Sequence, residues 1–439
     1  MSAAAPHLSR ALAETMSAAT FEKLPANVIL DARRAVLDWL GSVIAGSKLP
    51  PARMVHEVVR SFGVSNEARV FGAVRSSALG AALANGVSSH ILEMDDLHLG
   101  STMHAGSPII SAALAVAERE RASGRAFLLA VIVGYDAALR IGESVNPSHY
   151  RYWHPTGTAA TFGAAVAAGS LLHLNTDQML HALGTAGTQA SGLWEFNADG
   201  AMSKHLHPGK AAMNGVLAAD LARRGFTGAS RIVEGERGFA RAMSDAFDGS
   251  RITDGLGSTW KISENSYKMY SCCGHTHTAI DAVLALRADP RDIEDVLIET
   301  YGPGFEIVNN MRPETPYQAK FSMAYVCAAA LLDGAVGLQQ FTEDNIPGVS
   351  EFLPRIRVEV VPALTAMYPA AWPARVTIIL RNGSRLLKQV DHASGTPQNP
   401  VSMEVLERKF TTLTGRGAEI VHRIEAARDI RALFDEVMG

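Results

Sequence analysis

Apolar residues recur at helical spacing through most of the first half of the chain. Val28, Ala32 and Val36 fall on one helical face, which predicts a buried helix. Gly46 is a suitable end for that helix. The same pattern predicts further helices over 78–88, 108–122, 125–141, 158–172, 176–191 and 211–224. Several of them are apolar on most faces, so we expect them to lie in the interior.

The pattern changes near Trp260, after which short apolar stretches predict strands. These stretches cover 296–301, 356–361 and 376–380, and Asn382-Gly383 predicts a hairpin turn into a further strand at 385–390. Helices are predicted between them at 277–287 and 320–334. From Pro400 onwards the pattern is helical again. We therefore expect a mainly α protein with an α+β region, and the last helices to return to the first domain.

Length and composition restrict the class of protein. The chain has 439 residues, more than one hydrophobic core usually supports, so we expect two domains. A formal net charge of −4, without any Lys/Arg-rich run, argues against nucleic-acid binding. Three cysteines are too few for a disulfide framework, and the longest apolar run, 127–133, is too short to cross a membrane. The N-terminus shows no secretory signal, so we expect a cytoplasmic protein without a membrane partner.

The stretch from residue 90 to 108 combines three acids and three histidines between two apolar helices. Buried polar groups have a desolvation cost unless they are paired or used, so the stretch is a candidate for chemistry. If the first helix continues to Leu97, then His90, Glu93, Asp96 and Leu97 share one face. A carboxylate beside a histidine can tune it for acid–base work. The alternative is an ordinary polar helix end. Without an HExxH spacing we expect no metal.

Two further landmarks place cationic side chains near predicted helix starts. His154 lies in the segment 152–158, and Lys204 and His207 lie in the segment 200–210. Helix N-termini favour anions. Lys204 and His207 are each typical of an ordinary surface position, but together with Lys268 they would form a suitable cage for carboxylates.

The segment Cys272-Cys273-Gly-His-Thr-His277 has the residue types of a zinc site. Adjacent cysteines are awkward tetrahedral ligands, however, and no second pair completes the set, so we expect core thiols beside a functional histidine. The chain contains no GxGxxG, GxxxxGK[ST] or GxSxG motif. We therefore expect no NAD, FAD or ATP, and serine hydrolase chemistry has no support.

Six short motifs, in order along nearly the full chain, resemble those of the MmgE/PrpD family. That family includes 2-methylcitrate dehydratase, cis-aconitate decarboxylase and iminodisuccinate epimerase. The motifs are H-x-x-E-M-D-D-x-H at 90–98 followed by His104, W-H-P-T-G-T at 153–158, K-x-L-H-x-G-x-A-A at 204–212, G-F-T-G at 225–228, K-x-Y-x-x-C-x-x-x-H at 268–277 and K-F-S-x-x-Y-V at 320–326.

The resemblance implies a large all-helical domain built from both chain ends, 1–264 and 400–439, and a smaller α+β lid domain, 265–399. It also implies a homodimer that needs no metal or organic cofactor and acts on a small di- or tricarboxylate in a cleft between the domains. The implied pocket residues are Glu93, Leu97, His104, His154, Lys204, Lys268, Cys273 and His277. Many relatives have aspartate in place of Glu93 and a hydroxyl residue in place of Leu97, so the substrate can differ from those of the family.

The resemblance implies proton movement next to a carboxylate. We expect His104 or His154 to move the proton, with Glu93 and Asp96 orienting and tuning a histidine. We expect cations and imidazoles to stabilise the charge that develops on the carboxylate, namely those of Lys204, Lys268, His207 and His277.

The predicted reaction is dehydration of the 2-methylcitrate type, and the same chemistry also gives decarboxylation of the cis-aconitate type or epimerisation of the iminodisuccinate type. A further alternative is a non-catalytic carboxylate-binding scaffold. The sequence leaves open which histidine is the acid and which is the base.

Overall fold

The computed structural model describes residues 7–438, and two compact units can be distinguished among them. Unit 1 comprises 7–91, 95–265 and 402–438, and unit 2 comprises 92–94 and 266–401. The fold is mainly helical with one small mixed sheet in the C-terminal region, so the predicted fold class is confirmed. The predicted domain boundaries stay a prediction. Residues 1–6, which form part of the segment tested for a secretory signal, lie outside the described residues.

Unit 1 is helical throughout its described part. Its helices are α1 (Leu8–Ala18), α2 (Ala26–Gly46), α3 (Pro50–Arg60), α4 (Ala78–His90), α5 (Gly106–Arg119), α6 (Gly124–Val145), α7 (Ala159–Leu171), α8 (Thr176–Gly187), α9 (Phe196–Asp199), α10 (Ser203–Arg223), α11 (Phe239–Met243), α12 (Ser250–Thr253), α19 (Met403–Thr414), α20 (Ile420–Arg423) and α21 (Ile430–Met438). Helix α19 packs on α2, so both ends of the chain contribute to this unit.

Small residues let helices α4 and α10 approach closely. A Cβ atom added to Gly86 in α4 would lie 2.6 Å from the Cα atom of Gly209 in α10. A Cβ atom added to Gly209 would lie 2.5 Å from the carbonyl oxygen of Leu83. These separations are too short for any side chain, because backbone atoms cannot move aside as a flexible side chain can. The contact places the end of α4 beside the beginning of α10.

Helix α10 begins earlier than the sequence predicts. The sequence pattern predicts a helix over 211–224, with Pro208 ahead of it, whereas the helix starts at Ser203 and contains Pro208. The predicted start was wrong because the helix tolerates Pro208, whose missing N–H group removes few hydrogen bonds so near a helix start. Lys204 and His207 consequently lie in the first two turns of the helix rather than before it.

Unit 2 contains a four-stranded sheet covered by helices. The strands are β1 (Ile293–Thr300), β2 (Ile356–Val360), β3 (Ala374–Leu380) and β4 (Arg385–Val390), in the order β2-β1-β3-β4. Strand β1 pairs parallel to β2 and antiparallel to β3. The helices are α13 (His277–Leu286), α14 (Gly302–Val308), α15 (Pro316–Lys320), α16 (Met323–Asp333), α17 (Ile346–Ser350) and α18 (Pro362–Thr365).

The hairpin between β3 and β4 confirms the predicted turn at Asn382-Gly383. Gly383 has a φ of 83°, a left-handed conformation that glycine adopts without steric cost. The side chain of Asn382 accepts a hydrogen bond from the backbone N–H of Ser384. Within the described residues, no helix is long and apolar enough to span a membrane.

Candidate active site

Helix α4 ends at His90, and the polar stretch that follows is an irregular loop. Glu93 has a φ of 57°, outside the right-handed helical region. Farther along, His98 and Met103 exchange two backbone hydrogen bonds. The conditional prediction that a continued helix places His90, Glu93, Asp96 and Leu97 on one face was therefore wrong.

His90 is held by the carboxylate of Asp95. Its Nδ1 atom lies 2.7 Å from Asp95 Oδ2, which also accepts a hydrogen bond of 2.8 Å from the hydroxyl of Ser107. All three residues are buried. Because a carboxylate only accepts hydrogen bonds, Nδ1 carries the proton, and in the neutral ring Nε2 keeps its lone pair. That Nε2 atom is buried and has no hydrogen-bond partner among the residues that the structure describes.

His104 is oriented by the backbone of Asp96. Its Nδ1 atom donates to the carbonyl oxygen of Asp96 at 2.7 Å, so in the neutral ring the lone pair is on Nε2. The backbone N–H of His104 donates to the hydroxyl of Thr156 at 3.1 Å. Asp95 Oδ2 lies 3.8 Å from His104 Nδ1, so one carboxylate is near both imidazoles. The rings of His90 and His104 are edge to face, with centroids 4.8 Å apart.

The side chain of Asp96 serves the framework around the histidines. One oxygen accepts the backbone N–H of Gly106 at 2.9 Å, and the other accepts the hydroxyl of Tyr135 at 2.7 Å and the amide of Asn265 at 2.8 Å. Burial and the nearby carboxylates of Asp38 and Asp95 raise the pKa of Asp96 to about 7. His90 is thus held by the side chain of Asp95, a residue that sequence reasoning did not select. His104 is held by the backbone of Asp96, a residue that it did select.

His154 and His207 extend the cluster. Their Nδ1 atoms are 3.0 Å apart, so one ring donates a proton to the other and the pair shares that proton. The centroid of the His154 ring lies 5.8 Å from that of His90 and 6.2 Å from that of His104. Burial, and then the neighbouring positive groups, hold the pKa of His154 well below its usual range and lower that of His207 to about 3. Both rings are therefore neutral at physiological pH.

Lys204 supplies a buried positive charge at the start of α10. Its side chain is among the largest in the fully buried set, and its charge contributes to the lowered pKa of both His154 and His207. The neighbouring His205 ring has its centroid 6.3 Å from that of His90. Unit 1 thus brings together five of the predicted site residues, Asp96, His104, His154, Lys204 and His207. Leu97 is buried in the same unit.

Two further predicted site residues, Glu93 and Lys268, belong to unit 2. Lys268 Nζ lies 3.2 Å from Glu93 Oε2, and both side chains are only 2% exposed. Glu93 therefore forms a buried ion pair with a lysine 175 residues away. The adjacent Leu92 carbonyl oxygen accepts hydrogen bonds from Ser271 and Lys320.

The remaining predicted residues lie in the same unit. Cys273 donates its backbone N–H to the Lys320 carbonyl at 3.0 Å. His277 Nε2 is 3.4 Å from the carbonyl oxygen of Cys272. Burial raises the pKa of the Cys272 thiol to about 12, and the thiol is fully buried.

Two groups in unit 1 have side chains close enough to hold a metal ion, and their hydrogen bonds test the fit. His90, Asp95 and His104 form the first group. In it, both Nδ1 protons are committed to oxygen acceptors, so a metal held by these Nδ1 atoms and the carboxylate would have to displace those hydrogen bonds. The hydrogen-bond pattern does not fit a metal bound in that way.

The second group is His98 with Glu143 and Glu264. The backbone N–H of Ser101 donates to His98 Nδ1 at 3.1 Å, so the ring proton is on Nε2, which faces the two carboxylates. Lys261 Nζ lies 3.1 Å from an oxygen of each carboxylate. Lysine and histidine protons already balance these carboxylates, which does not fit a metal site.

Sequence reasoning named His90 within the polar stretch without selecting it as a site residue, and it did not select Asp95, Ser107 or Tyr135. Asp95 is five residues after His90, a spacing that does not bring two side chains together on a regular helix. Only the change in chain direction after α4 makes the contact possible. The density of polar residues in the stretch was the one available signal.

Comparisons with known proteins cover nearly the whole chain. The family described as MmgE/PrpD N-terminal domain matches residues 10–251, and the family described as MmgE/PrpD C-terminal domain matches residues 270–432. A cis-aconitate decarboxylase of Aspergillus terreus is 27% identical over 425 residues, covering 90% of this chain and 86% of that protein. The cis-aconitate decarboxylase of Homo sapiens is 27% identical over 405 residues, covering 87% and 82%. A cis-aconitate decarboxylase-like protein of Aspergillus oryzae is 28% identical over 347 residues, covering 72% of each chain.

Proposed function

Because the chain belongs to the MmgE/PrpD family, we propose that it is a lyase that dehydrates a small hydroxy-tricarboxylate of the 2-methylcitrate type by acid–base chemistry. The observation that supports this most strongly is the buried cluster of His90, Asp95 and His104. Removal of water next to a carboxylate requires a group that takes a proton from carbon and a group that gives a proton to the leaving hydroxyl. Two imidazoles with fixed ring protons and different acceptors meet that requirement.

Within this proposal His104 is the base. Its Nδ1 proton is held by a backbone carbonyl, so the lone pair of its neutral ring is on Nε2. Loss of a proton from the carbon next to a carboxylate builds an enediolate-like negative charge. Preorganised positive groups and hydrogen-bond donors stabilise such a charge, and this electrostatic contribution is usually the largest one in catalysis.

We assign substrate binding to the lysines and three of the histidines. Lys204 and Lys268 would bind carboxylates, while His154, His207 and His277 would donate hydrogen bonds. Glu93 would moderate the charge of Lys268, to which it is paired. Leu97 and Cys273 are the positions that we expect to set the substrate, because the resemblance implies that both line the pocket. The resemblance also predicts a homodimer, which analytical ultracentrifugation tests.

Decarboxylation of the cis-aconitate type is the second candidate. It is favoured by the relatives of Aspergillus terreus and Homo sapiens, which are named cis-aconitate decarboxylases. In that reaction the base has no role, because the carbon–carbon bond breaks and the released electron pair takes up a proton from the acid. The two candidates therefore differ in whether His104 acts as a base.

The experiment is an NMR assay of the purified protein with methylcitrate-type acids, citrate, cis-aconitate and iminodisuccinate. We expect loss of water from a hydroxy-tricarboxylate, retained after dialysis against a chelator because no metal takes part in the proposed reaction. Carbon dioxide release from cis-aconitate would establish the second candidate instead. Binding of these acids without any turnover or deuterium exchange would overturn both candidates and leave a carboxylate-binding scaffold.

A further inference from the structure

We infer that His90 is the proton donor of this reaction, poised by Asp95, and that His104 is the proton acceptor. The inference rests on the proposed function and assigns a division of labour within it. It concerns a histidine that lies at the end of α4, at the centre of the cluster.

The hydrogen-bond acceptors of His90 and His104 differ in charge. His90 Nδ1 donates to the carboxylate of Asp95 at 2.7 Å, whereas His104 Nδ1 donates to a neutral carbonyl at 2.7 Å and lies 3.8 Å from that carboxylate. A carboxylate in direct contact stabilises the positively charged imidazolium far more than a carbonyl does. The geometry therefore suits His90 to give a proton and His104 to accept one.

The surroundings of Asp95 favour its ionised form. Ser107 donates its hydroxyl to the same oxygen, Asp95 Oδ2, at 2.8 Å. Two donors on one oxygen favour the ionised carboxylate, because a protonated carboxyl group would offer a donor of its own. Asp95 is 1% exposed and His90 is fully buried, so water does not screen the pair.

The second ring nitrogen of His90, Nε2, is placed to contact a bound substrate. Its Nε2 atom is buried without a hydrogen-bond partner among residues 7–438, and buried polar atoms in folded proteins are usually paired. The rings of His104, His154 and His205 surround His90, with centroids 4.8, 5.8 and 6.3 Å from its own. The nitrogen therefore lies inside the cluster, where an oxygen atom of a bound substrate would be its partner.

The resulting step is balanced. His104 Nε2 takes the proton from the carbon next to the substrate carboxylate, and the electron pair of that bond forms the carbon–carbon double bond. The carbon–oxygen bond breaks, and the leaving hydroxyl takes the proton of His90 Nε2 to become water. A proton then returns from His104 to His90, which restores the starting state. If the reaction is decarboxylation, the proton of His90 instead goes to the carbon that receives the electron pair from the departing carbon dioxide.

Substitution of His90 by asparagine separates this role from packing. In His90→Asn the side-chain amide still donates to Asp95, but no Nε2 atom remains. We expect kcat for turnover to fall at least about 100-fold while exchange of the substrate carbon-bound proton in D2O continues, because His104 is intact. His104→Asn should lose turnover and exchange together. His422→Asn, at an exposed histidine, is the matched control and should keep both.

Three outcomes would overturn the inference, and two of them concern the folded His90→Asn variant. One is turnover by His90→Asn within about threefold of the wild type, and the other is equal loss of turnover and exchange in that variant with an unchanged melting temperature. If His90→Asn does not melt cooperatively, Asp95→Asn decides, with the same split expected between turnover and exchange. Failure of both variants to fold would make the pair structural and also overturn the inference. Absence of turnover by the wild type on every acid would instead refute the proposed function.

Discussion

His90 in unit 1 and His275 in unit 2 are both buried, but their surroundings are opposite. His90 contacts a carboxylate through Nδ1 and has other imidazole rings around it. His275 forms a 2.5 Å hydrogen bond through Nδ1 with the hydroxyl of Tyr301 and stacks on Trp372, with ring centroids 4.1 Å apart. Burial, followed by the charge of Lys268, lowers the pKa of His275 to about 3.

The difference shows what turns a buried histidine into an acid–base group. An aromatic wall and a phenol keep the His275 ring neutral, because neither stabilises a positive imidazolium well in a low-dielectric interior. The carboxylate of Asp95 provides that stabilisation for His90. Burial alone therefore does not identify a functional histidine in this chain; the charge of its partner does. The following predictions test this comparison.

The largest effect is expected for His104→Asn. The asparagine amide can still donate to the carbonyl oxygen of Asp96, but the basic nitrogen is lost. We expect kcat to fall by about two to four orders of magnitude with little change in melting temperature. Steady-state kinetics and thermal unfolding of the same preparation measure both quantities. Activity close to that of the wild type would remove His104 from the mechanism.

Lys204→Met tests whether a buried positive charge stabilises the developing negative charge. The methionine retains most of the side-chain volume but has no charge, so we expect kcat to fall by about two to three orders of magnitude. Lys388→Met is the matched control, because Lys388 is exposed on β4, and its kinetics should match those of the wild type. If Lys204→Met raises KM but leaves kcat unchanged, the lysine binds the substrate without assisting the reaction.

His275→Phe tests the packing half of the comparison. Phenylalanine preserves the stacking on Trp372 but removes the hydrogen bond with Tyr301. We expect the free energy of unfolding to fall by about 1–3 kcal/mol, because a buried hydroxyl loses its partner, while kcat stays near the wild-type value. Chemical denaturation measures the free energy of unfolding, and the turnover assay measures kcat. A collapse of kcat in a folded variant would give His275 a role in the reaction.

Asp96→Asn tests a carboxylate whose side chain holds no imidazole. The pKa of Asp96 is raised from 3.8 to about 7, so the folded state retains a proton that the unfolded state releases. The stabilising contribution of this proton is complete at acid pH and is lost as the pH rises to about 7. Relative to Asp96→Asn, the wild type should lose up to about 1.4 kcal/mol of unfolding free energy per pH unit in that window. Urea denaturation over the pH range measures it, and parallel curves for the two proteins would contradict the raised pKa.

Much of the architecture was readable from local patterns. The α2 helix and the hairpin at Asn382-Gly383 depend on residues close together in the chain, so spacing and turn chemistry predicted them. The helix predicted over 78–88 matches α4, but the path of the chain after His90 was not readable, because Ile91 and Leu92 continue the apolar pattern while the backbone leaves the helix. Tertiary contacts of the acids that follow outweigh the local preference.

The candidate site was predictable in its residue types but not in its pairings. Lys268 and Glu93 are far apart in sequence, and nothing in their local surroundings indicates that they form an ion pair. Asp96 has the same residue type and nearly the same position as Asp95, yet only the latter holds an imidazole with its side chain. Such choices depend on the packing of α5 and α6, which a single sequence does not reveal.

The glycine contact between α4 and α10 has a consequence for how such a site can change. Gly86 lies one helical turn before His90, and Gly209 lies one turn after His205. A single methyl group at either glycine would push the two helices apart. It would thereby increase the distance between the rings of His90 and His205, although it contacts neither ring. The distance from the His90 ring to its neighbours thus depends on residues outside the cluster. Remodelling this enzyme for a bulkier acid would begin at those two glycines, with every titrating residue left as it is.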